Sequence, residues 1–260
     1  MNDTVLIGEM SCRAYETRIK LPGQVVMVPI GALEQHGPHM SMNPDVLLPS
    51  AIAVEVAKRG NYLVAPPIAY GYKSQQRSGG GNHLCGTTSL DGATLTATVR
   101  DLIREFARHG ARNMCFVNGH YENSMFAVEG IDLALRELRA AGVADIQVVM
   151  LSYWDFVTDA VIGKLYPDGF TGWAVEHGGV LETSLMLYLH PNLVDMDYVP
   201  LHPPAQFPPY DIFPPISSWT PSSGCLSSAK NASAEKGQIL FDVCADGISV
   251  ALSEAFLKRK

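Results

Sequence analysis

The chain is poor in cysteine and lacks the patterns that would give its cysteines a structural role. Among 260 residues the cysteines are odd in number and include no C-x-x-C pair. They are Cys12, Cys85, Cys115, Cys225 and Cys244. Neither a secreted disulfide framework nor a zinc site built from thiolates is indicated. We therefore expect a cytoplasmic protein whose thiols stay reduced.

Long apolar runs and basic clusters are also missing. No stretch approaches the roughly 18 apolar residues of a membrane span, and residues 1–4 hold no basic segment ahead of an apolar one. The net charge is −7, and the lysines and arginines are scattered rather than arranged as a stripe that follows phosphates. We expect neither a membrane nor nucleic acid as a partner, and we favour a small molecule.

Apolar runs alternate with segments of helical period along the chain. Buried strands are predicted over 25–30, 62–68, 114–117 and 146–151, and helices over 47–59, 95–110, 128–142 and 234–257. Such alternation is typical of an α/β fold with a mostly parallel sheet flanked by helices on both faces. The length suits one domain, 1–260.

Two mirrored pairs of metal-ligand residues follow two of these strands. Glu34 and His36 come after the first strand, and His120 and Glu122 come after the third. Alternate residues of an extended chain point the same way, and the carboxyl ends of parallel strands meet at one edge of the sheet. The two pairs can therefore share one site. Asp45 lies between them near a predicted helix start and is the natural bridge between two ions.

A mixed shell of imidazole and carboxylate ligands favours zinc or manganese. About three carboxylates and one hydroxide would balance two divalent cations, whereas a single cation would leave excess negative charge. Bound ions of this kind lower the pKa of a water molecule and polarise a carbonyl group. Hydrolysis is the expected reaction.

Other candidate residues lie outside the two pairs. His177 precedes a predicted helix that runs to Leu189, where a neutral imidazole could shuttle protons or simply hydrogen-bond at the helix start. Trp154 and Trp173 could be core residues or the walls of a pocket. The glycine-rich segment 73–88 is predicted to be a binding loop. The segment 200–221, rich in proline and aromatics, is predicted to be an extended arm that packs on the body or on another subunit.

Five stretches of the sequence resemble the creatininase family of metal-dependent amidohydrolases. They are Gly31–Gly37, Tyr70–Gln76, Ser78–His83, Gly119–Asn123 and Glu176–Gly179. The resemblance spans nearly the whole chain and implies a single-domain creatininase-like fold and a homohexamer. It also implies an enzyme with two divalent metal ions, zinc and manganese or a zinc pair, that interconverts creatinine and creatine by hydrolysing the cyclic amide.

The same resemblance implies how the metal ions are shared. Glu34 and His120 would bind one ion, usually manganese, while His36 and Glu122 would bind zinc. Asp45 would bridge the two ions, in agreement with the charge argument. Glu122 would count as a catalytic residue as well as a ligand.

Substrate contacts are implied in the same way. The residues are Ser78, Tyr121, Trp154, Trp173 and His177. The tryptophans would cover the bound ring, and His177 would also be catalytic by passing a proton to the leaving ring nitrogen.

The chain departs from the family pattern at Ala174, which follows the lid tryptophan where creatininases have an aspartate. Because the lid could then shape a different pocket, a related amide or formamide hydrolase is the first alternative. A non-catalytic metal-binding protein is a second, less favoured alternative. Purely structural metal sites rarely combine two carboxylate-rich ions with flanking histidine and tryptophans.

Overall fold

The computed structural model describes residues 4–257, so the ends of the predicted domain and most of the N-terminal segment 1–4 lie outside the described residues. Four parallel strands form one sheet in the order β2-β1-β3-β4. The strands are β1 Val25–Ile30, β2 Leu63–Val64, β3 Asn113–Asn118 and β4 Gln147–Ser152. Val25 pairs with Asn113, which in turn pairs with Gln147, so the three long strands are in register.

Helices precede, connect and follow the strands. The α-helices are α1 Cys12–Ile19, α2 Pro44–Gly60, α3 Gln76–Gly79, α4 Gly92–His109, α5 Asn123–Ala140, α6 Asp159–Leu165, α7 Val180–Leu189 and α8 Ala234–Leu252. A π-helical turn, Ser253–Leu257, continues α8, and short 3-10 turns mark several loops. The predicted α/β fold is confirmed.

Strand β1 is fully buried because helices cover both faces of the sheet. Its side chains alternate between two clusters: Val25 and Met27 pack with α2, α7 and α8, whereas Val26 and Val28 pack with α4 and α5. A continuous apolar run is the sequence pattern expected of such a strand. The sequence therefore located β1 at its observed limits.

Two details differ from the sequence-based expectations. The strand predicted over 62–68 is only Leu63–Val64, because Pro66 and Pro67 have no N–H to continue the ladder. The apolar face expected to include Val128 on α5 is also shifted, since that side chain is 47% exposed. The buried face instead includes Gly130, where a Cβ atom would collide with α4. Small residues let the two helices approach closely.

Two loop predictions bear on the site. The segment 73–88 contains only the short helix α3, and the arm 200–221 is irregular apart from the 3-10 turn Ser217–Trp219. Within residues 4–257 no helix has both the length and the apolar character needed to cross a bilayer. All five cysteines, which lie in this range, are free, and three of them are buried.

Candidate metal centre and active site

The loops that follow β1 and β3 meet the first turn of α2 at one edge of the sheet. Gly31 follows β1 and Gly119 follows β3, and a Cβ atom at either position would collide with the backbone oxygen of Asp45. Glycine at both positions therefore lets the start of α2 press against both strand ends. This close approach brings Asp45 between the two predicted ligand pairs.

Glu34, Asp45 and His120 form the first ligand cluster. The Nδ1 atom of His120 lies 3.1 Å from Glu34 Oε2 and 3.1 Å from Asp45 Oδ2. All three side chains are buried, and their ligand atoms lie close enough together to surround one ion. This is the grouping that the resemblance to the creatininase family implies for one of the two metals.

His36, Asp45 and Glu182 form the second ligand cluster. The Nε2 atom of His36 lies 3.0 Å from Asp45 Oδ1 and 3.5 Å from Glu182 Oε1. Asp45 thus turns one carboxylate oxygen to each cluster, which is the geometry required of a bridging ligand.

Glu182 was not predicted from the sequence. It lies in the first turn of α7, and its Oε2 accepts a hydrogen bond of 2.8 Å from Gly178 N. Glu182 lies in a helix and has no ligand residue two positions away, so it does not belong to a pair of ligands in extended chain. A signal was nevertheless present, because Glu182 is the single charged residue in the otherwise apolar or small α7. A buried charge of this kind calls for a cation.

Glu122 lies on the other side of the His120 ring. Its Oε2 is 3.4 Å from His120 Nε2, while its Oε1 accepts hydrogen bonds from Gln75 N at 2.8 Å and Ser78 Oγ at 2.5 Å. Among the described residues no ion pair joins Glu122 to His36. The assignment of Glu122 to the second ion therefore stays a prediction.

The residues present fit two divalent cations. Glu34, Asp45 and Glu182 bring three carboxylates into the protein interior, and within residues 4–257 only histidines form ion pairs with them. The buried Glu34 Oε1 also lacks a hydrogen-bond donor. Burying unpaired carboxylates is costly, and two cations held by nitrogen and oxygen ligands would remove that cost.

The pKa values of the ligand histidines reflect the same excess of negative charge. Burial lowers the pKa of His36, but the carboxylates of Asp45 and Glu182 outweigh it, so this pKa lies well above the ordinary 6.5. Burial likewise opposes the rise of the His120 pKa that Glu34 and Glu122 cause. Protonated imidazoles therefore stand in for the cations when no metal is bound.

These shifts predict a pH-dependent effect of metal on stability. A histidine whose folded-state pKa is raised stabilises the fold fully below its unfolded pKa, and that contribution is lost as pH rises through the folded-state pKa. The chelated protein should thus lose thermal stability as pH rises above about 6.5, the ordinary histidine pKa, whereas the metal-loaded protein retains its cations. Thermal unfolding with chelator or with zinc and manganese should show a Tm gap that widens with pH. A constant gap would contradict the prediction.

His177 lies against the metal ligands with one ring nitrogen available. Its Nε2 is 2.9 Å from the backbone oxygen of Gln35, and since a carbonyl only accepts, Nε2 carries the proton. Its Nδ1 faces the ligand clusters and is 3.9 Å from Glu34 Oε2. The ring also packs on His36 at a centroid distance of 4.1 Å. A neutral imidazole in this position can accept and return a proton.

A cavity of about 810 Å³ opens above the two clusters. The predicted substrate contacts all line it: Ser78, Tyr121, Trp154, Trp173 and His177. Trp173 is 46% exposed and packs edge-on against Phe170, as expected of a cavity wall rather than a core residue. Ala174, the position that departs from the family pattern, lies in the same wall.

The glycine-rich loop completes the cavity floor. A Cβ atom at Gly79 would collide with Glu34 Oε1, so glycine at this position lets the loop lie directly against a metal ligand. Gly80 and Gly81 adopt positive φ of 79° and 111°, which favours glycine. The glycine run therefore serves close approach to the metal centre.

An α/β fold that carries a buried bridging carboxylate between two ligand clusters, beneath an open cavity with a free imidazole, defines a metal-dependent hydrolase. The sequence model of the creatininase family, described as creatinine amidohydrolase, matches residues 8–252. The chain belongs to the creatininase family.

Individual relatives agree with this assignment. The creatinine amidohydrolase of Pseudomonas putida is 63% identical over 257 residues, which cover 98% of this chain and 99% of the relative. A manganese creatininase structure superposes with a TM-score of 0.96 at 63% identity, covering 97% of this chain and 99% of the other. An E122Q mutant creatininase structure of the Zn-Zn type gives a TM-score of 0.96 at 62% identity, covering 97% of this chain and 98% of the other. An E122Q mutant creatininase structure in complex with creatine gives a TM-score of 0.95 at 63% identity, covering 97% of this chain and 99% of the other.

Proposed function

We propose that this chain hydrolyses the cyclic amide of creatinine to creatine, catalyses the reverse ring closure, and uses two divalent ions, zinc and manganese or a zinc pair. The observation that carries this proposal is the position of Asp45, whose two oxygens face His120 and His36 separately. The near-full-length similarity to the Pseudomonas putida creatinine amidohydrolase supports creatinine as the substrate.

Five residues would hold the two ions in this proposal. Glu34 and His120 would hold one ion, His36 and Glu182 would hold the other, and Asp45 would contribute one carboxylate oxygen to each. When bound, the two ions activate a water molecule for attack on the amide carbonyl and polarise that carbonyl. The protein contributes a buried, shaped site in which the ligands are already close to one another.

His177 and Glu122 are the proposed catalytic residues of the chain. His177 turns Nδ1 towards the ligand clusters while Nε2 is held by Gln35 O, so Nδ1 is the atom that would take a proton and pass it to the leaving ring nitrogen. Glu122 lies beside His120 and accepts a hydrogen bond from the Ser78 hydroxyl. The side chains of Glu122 and Ser78 therefore lie where the substrate's polar groups would bind. A ligand role for Glu122 remains part of the prediction from the sequence.

Tyr121, Trp154 and Trp173 are the proposed aromatic walls for the substrate ring. All three line the cavity, and Tyr121 is 67% exposed, so it is free to close over a ligand. Aromatic faces suit a planar, partly cationic ring because they offer both apolar contact and a negative quadrupole.

Replacing Trp173 by Ala should lower activity while leaving the metals in place. The side chain contributes cavity wall and no ligand atom, so we expect kcat/KM to fall by about tenfold or more as water enters and the ring loses its contact. Elemental analysis should give the wild-type metal content. Tyr198→Ala, at an exposed aromatic residue outside this cavity, is the matched control. Wild-type turnover in Trp173→Ala would exclude the wall role.

The function itself is tested by creatine formation from creatinine with purified protein. We expect turnover that chelation abolishes and that zinc or manganese restores. Absence of turnover in protein shown to contain two ions per chain would reject creatinine as substrate.

A different amide or formamide substrate is the second candidate, and Ala174 favours it. Ala174 lies beside Trp173 in the cavity wall, where a small side chain in place of a carboxylate changes both the volume and the charge offered to a ligand. Profiling cyclic amides and formamides with the same preparation separates the two candidates. Ala174→Asp should raise creatinine turnover if this position limits it.

The proposed organisation is a cytoplasmic homohexamer of single-domain chains, 1–260. Support comes from the free cysteines and from apolar side chains that the arm leaves exposed, such as Leu201 at 78% and Phe213 at 76%. Analytical ultracentrifugation should then give a particle of six 28.2-kDa chains.

A further inference from the structure

We propose that Thr220, in the proline-rich arm, is a positioning residue for the active site, because its hydroxyl clamps the turn that carries Ser78. We call residues 76–81 the Ser78 turn. The kinetic part of this inference rests on the proposed function, whereas its structural part can be measured without turnover.

One hydroxyl group joins both sides of the Ser78 turn. Thr220 Oγ1 donates a hydrogen bond of 2.6 Å to Gly80 O and accepts one of 3.1 Å from Gln76 Nε2. A threonine hydroxyl has one proton to donate and lone pairs to accept, so both bonds form together. Gln76 Nε2 is held further by Ile216 O at 2.6 Å, also in the arm. The Thr220 side chain is buried, so water does not readily replace these bonds.

The Ser78 turn needs such support from outside. Helix α3 has only four residues, too few to be stable alone, and the glycines that follow it have little conformational preference. A second hydroxyl holds the inner side, since Ser74 Oγ donates to Gly79 O at 2.8 Å and accepts from Gly81 N at 3.2 Å. The hydroxyl groups of Ser74 and Thr220 thus both form hydrogen bonds with the backbone of the glycine run 79–81.

The Ser78 turn is connected to the metal centre through the side chain of Glu122. Ser78 Oγ and Gln75 N both donate to Glu122 Oε1, and the other oxygen of Glu122 faces His120. A shift of the turn would therefore move Glu122 relative to His120. Thr220 itself touches neither ligand cluster, so it acts only through the turn.

The ion pair between arm and turn is the weaker connection. Arg77 and Asp211 are 3.5 Å apart, and their side chains are 40% and 56% exposed. Exposed pairs of this kind contribute little because water and salt screen them. The buried hydroxyl of Thr220 is the contact that fixes the arm to the loop.

The decisive variants are Thr220→Val, which keeps the shape and removes the hydroxyl, and Thr220→Ser, which keeps the hydroxyl. We expect Thr220→Val to lower kcat/KM for creatinine by about tenfold with both ions retained, the effect of a small misplacement. Thr220→Ser should restore most activity. Ser217→Ala, which removes an exposed arm hydroxyl, is the matched control.

A coupling experiment separates positioning from a general loss of structure. In a Ser78→Ala background the turn no longer orients Glu122 through the Ser78 hydroxyl, so Thr220→Val should cause little further loss. An undiminished tenfold loss in that background would overturn the positioning role.

Hydrogen exchange tests the clamp independently of turnover. Amides of residues 76–81 should exchange faster in Thr220→Val and at the wild-type rate in Thr220→Ser. Gln76→Leu removes the other partner and should accelerate the same amides, which covers the case in which Thr220→Val does not fold. Unchanged exchange in the folded variant overturns the inference. If the wild type fails to convert creatinine, the proposed function is rejected while this exchange result still decides the clamp.

Discussion

Replacing Asp45 by Asn is expected to remove metal binding at both clusters and to lower creatine formation by about a thousandfold or more. Asp45 turns Oδ1 to His36 and Oδ2 to His120, so one substitution weakens both ion sites. An amide carries no negative charge and offers a single acceptor oxygen. The expected loss follows because bound ions supply several kcal/mol of stabilisation to the developing charge.

Metal content and turnover should be measured on the same preparation of Asp45→Asn. Asp91→Asn is the matched control, because Asp91 is an exposed carboxylate that pairs with Lys73 and belongs to neither ligand cluster. Circular dichroism should show both variants folded. A variant of Asp45 that keeps two ions per chain would contradict its bridging role, whatever its activity.

Strands β1 and β3 were predictable because burial on both faces leaves a continuous apolar run. Strand β1 shows this at its observed limits, Val25–Ile30. The short strand Leu63–Val64 was overestimated because its apolar run continues across two prolines that cannot join the ladder. Val128 was predicted to lie on the buried face of α5, but it is exposed because small residues form the contact with α4. Apolar periodicity does not distinguish small residues from other residues.

The meeting of the two ligand pairs at one edge of the sheet was predicted from topology, whereas the grouping of Glu34 with His120 was implied only by the family resemblance. Glu34 and His120 are each in a pair with period two after a strand, and the topology of a parallel sheet brings such pairs together. Glu182 and Thr220 have no local signature of this kind. Glu182 reaches His36 from a helix that begins far along the chain, and Thr220 contacts Gly80 across 140 residues. Only the folded chain reveals which distant residues meet.

Glu182→Gln should reduce the metal content from two ions to one per chain. The carboxylate of Glu182 lies 3.5 Å from His36 Nε2, while no described contact links it to His120, so the ion of the first cluster should remain. Loss of the second ion should lower kcat by about a hundredfold or more, because a single ion must then both activate water and polarise the carbonyl.

Glu122→Gln is the comparison variant for Glu182→Gln. Both substitutions remove one carboxylate charge, but Glu122 lies beside His120, whereas Glu182 lies beside His36. The distances favour Glu182 as the carboxylate beside His36, so Glu122→Gln should keep more of the second ion than Glu182→Gln does. Its turnover should still fall, because Glu122 holds Ser78 and faces His120. Two ions retained in Glu182→Gln with one lost in Glu122→Gln would reverse the assignment. The ligand set predicted from the mirrored sequence pairs would then be correct.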